Sequence, residues 1–217
     1  MDNGTCYIFG AGEKTSCTID LESKDLVIAA DGGYDYLVDL GLRADVVLGD
    51  FDSVTSPELW EDSICEKYTY PPEKDDTDMM LAVKLAFEAG CETFYLYGVL
   101  GGRLDHTLAN LQTAMYIANR GGRPFLLGGD CCVTALHNAE IRFRPEAAGV
   151  LSVFPLAGPA RGVTLENLLY PLRDYTMESD VALGVSNEFI GKPAQAAVRE
   201  GTLILVFPQL AFVEGEA

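Results

Sequence analysis

Basic residues are scarce in this chain. Fifteen lysines and arginines face 33 aspartates and glutamates, a formal net charge of −18. Such a balance argues against a nucleic-acid backbone or an anionic membrane as partner. A nucleotide stays admissible, because a divalent cation can present its phosphates. No apolar run reaches the ~18 residues that suggest a membrane span. The opening residues, MDNGTCYIFGAG, have neither a basic start nor a long apolar stretch, so no secretory leader is expected. The six cysteines show no C-x-x-C and no metal-finger spacing, and most sit in apolar runs. A reducing cytoplasm is the expected setting. Two phosphate-loop patterns also fail: in GAGEKTS (10–16), Glu13 stands where the P-loop needs glycine, and G-x-G-x-x-G breaks at Thr15. The G-x-S-x-G nucleophile elbow is absent.

What is present is enough apolar material for a core, at 48% of 217 residues. The first 130 or so residues alternate short apolar runs with helical patterns. TCYIFG (5–10), DLVIAADGG (25–33), ADVVLGD (44–50) and ETFYLYG (92–98) read as strands, several ending in glycine. Apolar residues at 79, 80, 83, 86 and 87 have helical spacing, which predicts a helix over 76–89, and 104–119 fits another. This alternation predicts an α/β unit with a mainly parallel sheet and flanking helices, Rossmann-like in kind, over residues 1–136. Beyond it the style changes. Short runs at 139–144, 149–154, 181–185, 195–199 and 202–207 are separated by Gly, Pro and Asn turns. These predict an all-β sandwich over 137–217.

The chemistry concentrates between Asp31 and Asp78. ADGG (30–33), GDFDS (49–53) and KDDTD (74–78) place Asp31, Asp50, Asp52, Asp75 and Asp78 at strand ends or a helix start. Two carboxylates ~5 Å apart repel by roughly 3 kcal/mol at an effective dielectric of 20. A protein that gathers several must neutralise them with protons, arginines or a metal. Hard oxygen ligands suit Mg²⁺, which commonly bridges phosphates. In open α/β sheets, ligands collect at the carboxyl ends of the strands. Helix capping accounts for one or two of the aspartates near residue 76. Asp75 and Asp78, three apart, are expected on one helical face, with Lys74 beside them as a point charge for phosphate.

GVLGGRLDH (98–106) follows the strand at 92–98. Gly101-Gly102 predicts a tight turn where a backbone can approach a ligand. Arg103 offers a planar fork suited to phosphate oxygens. Asp105 could hold that arginine, bind substrate or act as a base. His106 is expected to make a structural hydrogen bond.

In this order and spacing, ADGG, GDFDS, KDxTD and GxxGGRxDH resemble the thiamine pyrophosphokinase family. LLYPL (168–172) and GVSNEF (184–189) extend the resemblance into the β-rich half, with Leu168 standing where glycine is expected. The resemblance implies transfer of the terminal pyrophosphoryl group of ATP to the hydroxyl of thiamine. It implies Mg²⁺ on Asp50, Asp52 and Asp78, with Asp31 and Asp75 nearby. Thr77, Arg103 and Asp105 would support phosphates and substrate, and Ser186 and Asn187 would belong to the thiamine pocket. It also implies a homodimer with thiamine bound between subunits.

Two other readings compete. VVLGDFDSV resembles the D-x-D-x-[TV] signature of haloacid-dehalogenase phosphatases, with Asp50 as nucleophile. That reading leaves the β-rich half and GGRLDH without a role. A non-catalytic nucleotide- or vitamin-binding module would not need so many metal-ligand candidates.

Overall fold

Largely buried strands form the centre of the N-terminal part. The computed structural model describes residues 4–15, 19–49, 65–70 and 75–215. The chain divides into two units, Met1–Thr113 with Leu126–Gly129, and Ala114–Phe125 with Asp130–Ala217.

In the first unit, five parallel strands lie in the order β5-β1-β2-β3-β4: β1 Gly4–Phe9, β2 Leu26–Ala30, β3 Val46–Gly49, β4 Glu66–Thr69 and β5 Cys91–Tyr97. β3 is buried at all four residues, as expected of an inner parallel strand that reads as one apolar run. β4 is exposed at all four and forms the charged edge. Helix α1 (Gly33–Leu40) connects β2 to β3, and α2 (Asp78–Glu88) precedes β5. α2 buries Met79, Ala82, Val83 and Ala86, one stripe at helical spacing. Between β1 and β2 the described residues contain no helix, so the strand–helix alternation lapses there. The core is aromatic-rich: Phe9 stacks on Tyr97 at 5.0 Å and meets Tyr36 edge-on at 5.4 Å. Helix α3 (Leu104–Ala118) and strand β6 (Arg123–Leu127) straddle the division of the chain.

The second unit is antiparallel. One sheet takes β7 (Cys132–His137), β14 (Thr202–Phe207), β9 (Val150–Pro155) and β12 (Asn187–Glu188) in that order. The other has the order β11 (Leu172–Met177), β10 (Ala160–Glu166), β13 (Ala194–Ala197), β8 (Glu140–Phe143). Phe143 of β8 meets Phe207 of β14 at 5.1 Å, so side chains of both sheets share one core.

Two expectations need correction here. Residues 181–185 form turns rather than a strand, with Val181, Leu183 and Val185 about half exposed. A Cβ at Gly184 would come 2.2 Å from the Val153 carbonyl oxygen, so this segment is pressed against β9 by backbone, not paired by a ladder. The strands β10 and β11 were not expected. β10 contains a register shift between Ala160 and Val163 that breaks its alternation, and β11 is charged and mostly exposed.

Candidate active site

The carboxyl ends of β1, β2 and β5 open onto one cavity of about 730 Å³ within the first unit. Asp31 follows β2, Thr77 and Asp78 begin α2, and Gly101, Gly102 and Arg103 lie between β5 and α3. All six line it, with His106 and Asn110 of α3. This is where an open parallel sheet gathers ligands, because strands end there and helix N-termini face inward.

Asp31 has φ 51°, a left-handed conformation that aspartate tolerates better than most residues. Its N–H donates to the Leu48 carbonyl at 2.8 Å, which ties the end of β2 to β3. Gly49, at the end of β3, packs on it: a Cβ there would lie 3.1 Å from the Asp31 Cα. Asp50, Asp52 and Lys74 lie outside the described residues.

Thr77 is the N-cap of α2, and its Oγ1 accepts from Met80 N at 3.2 Å. The helix therefore begins at Asp78, not at residue 76. Asp75 precedes it in a bend and is exposed, so Asp75 and Asp78 do not share a helical face. Asp76 pairs with Lys84 at 2.6 Å. Of the three aspartates in KDDTD, only Asp78 lines the cavity.

Arg103 and Asp105 form a fork. Nε donates to Oδ1 at 3.2 Å and Nη2 to Oδ2 at 2.6 Å. Oδ1 also accepts the His106 N–H at 3.0 Å. The guanidinium beside Asp105 holds its carboxyl down to about 2, although the pair is exposed. Asp105 is thus an orienting partner of Arg103. Asn110 Nδ2 donates to the Val99 carbonyl at 2.8 Å and pins the start of this loop to α3.

Sequence patterns missed one wall. Gly10, Ala11, Gly12 and Glu13, in the segment where phosphate-loop patterns fail, line the same cavity. Gly10 N donates to Tyr97 O and Gly12 N to Gly98 O, each at 2.8 Å. A Cβ on Gly98 would come 2.4 Å from the Gly10 carbonyl oxygen, so side chains are excluded where the two loops touch. The available signal was position: a glycine-rich turn directly after the first strand. Three described carboxylate residues, Glu13, Asp31 and Asp78, therefore line the cavity together with Arg103 and His106. Among the described residues, no three His, Cys, Asp or Glu side chains form a metal cluster.

In the second unit, Ser186 is exposed with φ 59°, and its N–H donates to Ser152 Oγ at 3.1 Å. Asn187 is buried, and its amide is spent on backbone. Oδ1 accepts from Tyr170 N and Glu188 N, each at 2.9 Å, and Nδ2 donates to Tyr170 O at 2.7 Å. Leu168, where glycine was expected, is buried. The left-handed turn falls instead on Asn167, whose Nδ2 donates to the Pro193 carbonyl at 2.7 Å.

Two family models match the chain: "Thiamin pyrophosphokinase, catalytic domain" over residues 20–125, and "Thiamin pyrophosphokinase, vitamin B1 binding domain" over 138–203. A thiamine pyrophosphokinase of Bacillus subtilis (strain 168) is 28% identical over 188 residues, covering 85% of this chain and 88% of the relative. The crystal structure of thiamine pyrophosphokinase from Bacillus subtilis superposes with a TM-score of 0.83 at 26% identity, covering 95% and 99% of the two chains. The thiamin pyrophosphokinase of Candida albicans gives a TM-score of 0.75 at 17% identity, with 96% and 90% covered, a likeness of fold.

Proposed function

The chain belongs to the thiamin pyrophosphokinase family, and on that premise we propose that it carries the family's reaction. ATP gives its terminal pyrophosphoryl group to the thiamine hydroxyl, yielding thiamine diphosphate and AMP. The observation that carries this reading is the meeting of Asp31, Asp78 and Arg103 at one cavity, inside the segment matched by the catalytic model. The phosphatase alternative gains no support from the comparisons.

Mg²⁺ fits the donor set, because Asp31 and Asp78 bring hard carboxylate oxygens to the cavity and Gly49, just before Asp50, abuts Asp31. In our reading Asp50, Asp52 and Asp78 hold it, with Asp31 and Asp75 nearby. When bound, it neutralises phosphate charge and polarises the bridging oxygens. Phosphoryl-type transfer depends mainly on such positioning and neutralisation. Arg103, held by Asp105, presents its guanidinium to the phosphates, and Lys74 adds a point charge. The Gly101–Gly102 turn and Thr77 shape the phosphate side of the cavity. Because both Asp105 oxygens accept from Arg103, we assign the hydroxyl proton to a carboxylate of the metal cluster instead.

We assign the first unit to a Rossmann-like catalytic domain and the second to a β-sandwich that binds thiamine through the Ser186–Asn187 segment; the 136/137 boundary read from the sequence falls within β7, a strand of the second unit. Exposed Leu169, Tyr170, Val181, Leu183 and Val185 support a homodimer formed through this second part. We place the chain in a reducing cytoplasm, in keeping with cysteines that show no C-x-x-C or metal-finger spacing; no described helix is long and apolar enough to cross a membrane.

The test is AMP formation measured against a panel of vitamin alcohols. AMP release that requires both ATP and thiamine is expected. Phosphate release that ignores thiamine, or tight binding without product, overturns the reading.

A further inference from the structure

We infer that Glu13 is a positioning residue for the phosphate side of the cavity, acting through the Gly101–Gly102 turn; the inference rests on the reaction proposed above. Glu13 Oε1 accepts the Gly102 N–H at 3.0 Å, across 89 residues of chain. Gly101 and Gly102 both have positive φ, 78° and 63°. A Cβ on Gly101 would come 2.4 Å from the Glu13 carboxyl carbon, so the carboxylate lies directly on the turn.

The segment that carries Glu13 is anchored on both sides. Before it, Gly10 and Gly12 are hydrogen-bonded to Tyr97 and Gly98. After it, Lys14 bonds Asp39 and the Asp35 carbonyl. Tyr36 OH then accepts the Thr15 N–H at 2.7 Å and donates to the Thr15 carbonyl at 2.6 Å. Glu13 thus reaches the turn from a fixed backbone. Its carboxylate occupies a turn N–H that would otherwise be open to a phosphate oxygen. An acid at this place opposes polyphosphate by charge, so its use lies in geometry. It fixes the turn from which Arg103 emerges. The same hydrogen bond takes the Gly102 N–H out of phosphate recognition and leaves that task to Arg103.

Glu13→Ala removes the acceptor, whereas Glu13→Gln keeps an acceptor oxygen without the charge. For Glu13→Ala, the KM for ATP is expected to rise about two- to tenfold, the range for one net hydrogen bond. The KM for thiamine is expected to stay and kcat to change less. Glu13→Gln recovers most of the loss. Hydrogen exchange at the Gly102 amide accelerates in Glu13→Ala and stays slow in Glu13→Gln. Wild-type kinetics in Glu13→Ala, equal impairment in Glu13→Gln, a fall in KM for ATP, or unchanged Gly102 exchange would each overturn the inference. If the wild-type chain forms no AMP, the proposed reaction fails, and Gly102 exchange still decides whether Glu13 holds the turn.

Discussion

Asn187 and Tyr170 are joined by a two-way hydrogen bond: the asparagine amide accepts from Tyr170 N at 2.9 Å and donates to Tyr170 O at 2.7 Å. The pair ties GVSNEF to LLYPL, two segments that look independent along the chain. Asn187 is 3% exposed, so water cannot replace either bond. Asn187→Ala leaves a backbone donor and acceptor of Tyr170 without this partner. It is expected to cost about 1–3 kcal/mol of stability. Urea denaturation checks this, and a midpoint equal to wild type would contradict the structural role.

Asp78 stands in the first turn of α2 and lines the cavity. Asp78→Asn removes a negative charge and a hard oxygen ligand while keeping the shape of the side chain. AMP formation should fall by at least about 100-fold, since the loss of a direct ligand exceeds the roughly 10–100-fold cost of losing a group that only supports one. Stability should change by less than about 1 kcal/mol, the scale of a charge at a helix end. Turnover and thermal melting together separate the two effects. Near-wild-type turnover would remove Asp78 from the metal set.

The Arg103–Asp105 fork has a pH signature. Its guanidinium depresses the Asp105 carboxyl from 3.8 to about 2. A depressed acid favours the folded form above its ordinary titration range, and that preference is lost as pH falls through about 2. The fork should therefore be intact at neutral pH and down to about pH 4, and open toward pH 2. Carboxyl titration of Asp105 by NMR checks this. In Arg103→Ala the titration should return toward 3.8. High salt should weaken the fork, because both groups are exposed.

Gly98 sits at the contact of two loops with φ 63°. Gly98→Ala would place a methyl 2.4 Å from the Gly10 carbonyl oxygen, backbone that cannot move aside cheaply. A loss of about 1–3 kcal/mol is expected, the scale of overpacking and backbone strain. Activity should fall as well, because the displaced segment carries Glu13 to the cavity. A stable and fully active Gly98→Ala would show that the loops can separate.

Much of the catalytic unit was legible from local pattern. Val46–Leu48 and Val27–Ala30 read as strands because inner parallel strands are apolar on both faces and show it as an unbroken run. Asp31, Gly101 and Arg103 were legible because turn and polar residues just past such runs fall at strand ends, where ligands collect, and Asp78 because it opens a helix of clear apolar spacing. The β-rich part was harder. In β10, the register shift near Gly162 interrupts the alternation that reveals a half-buried strand. β11 has almost no buried face to mark it. Val181–Val185 gave the opposite error, since apolar content alone does not distinguish a strand from an exposed turn.

The sequence alone determined that this is an acidic α/β chain with aspartates gathered at strand ends, and its ordered motifs already resembled one family. Local periodicity and residue chemistry suffice for that, since each strand carries its own pattern. Tertiary structure decided how those aspartates divide. Asp78 faces the cavity, while Asp76 is taken by Lys84 and Asp75 lies outside the helix. It also decided that Glu13, in a segment where phosphate-loop patterns fail, belongs to the site. That fact depends on Glu13 meeting Gly102 across 89 residues, and no local pattern encodes a contact made only when two strand ends are brought together by the sheet.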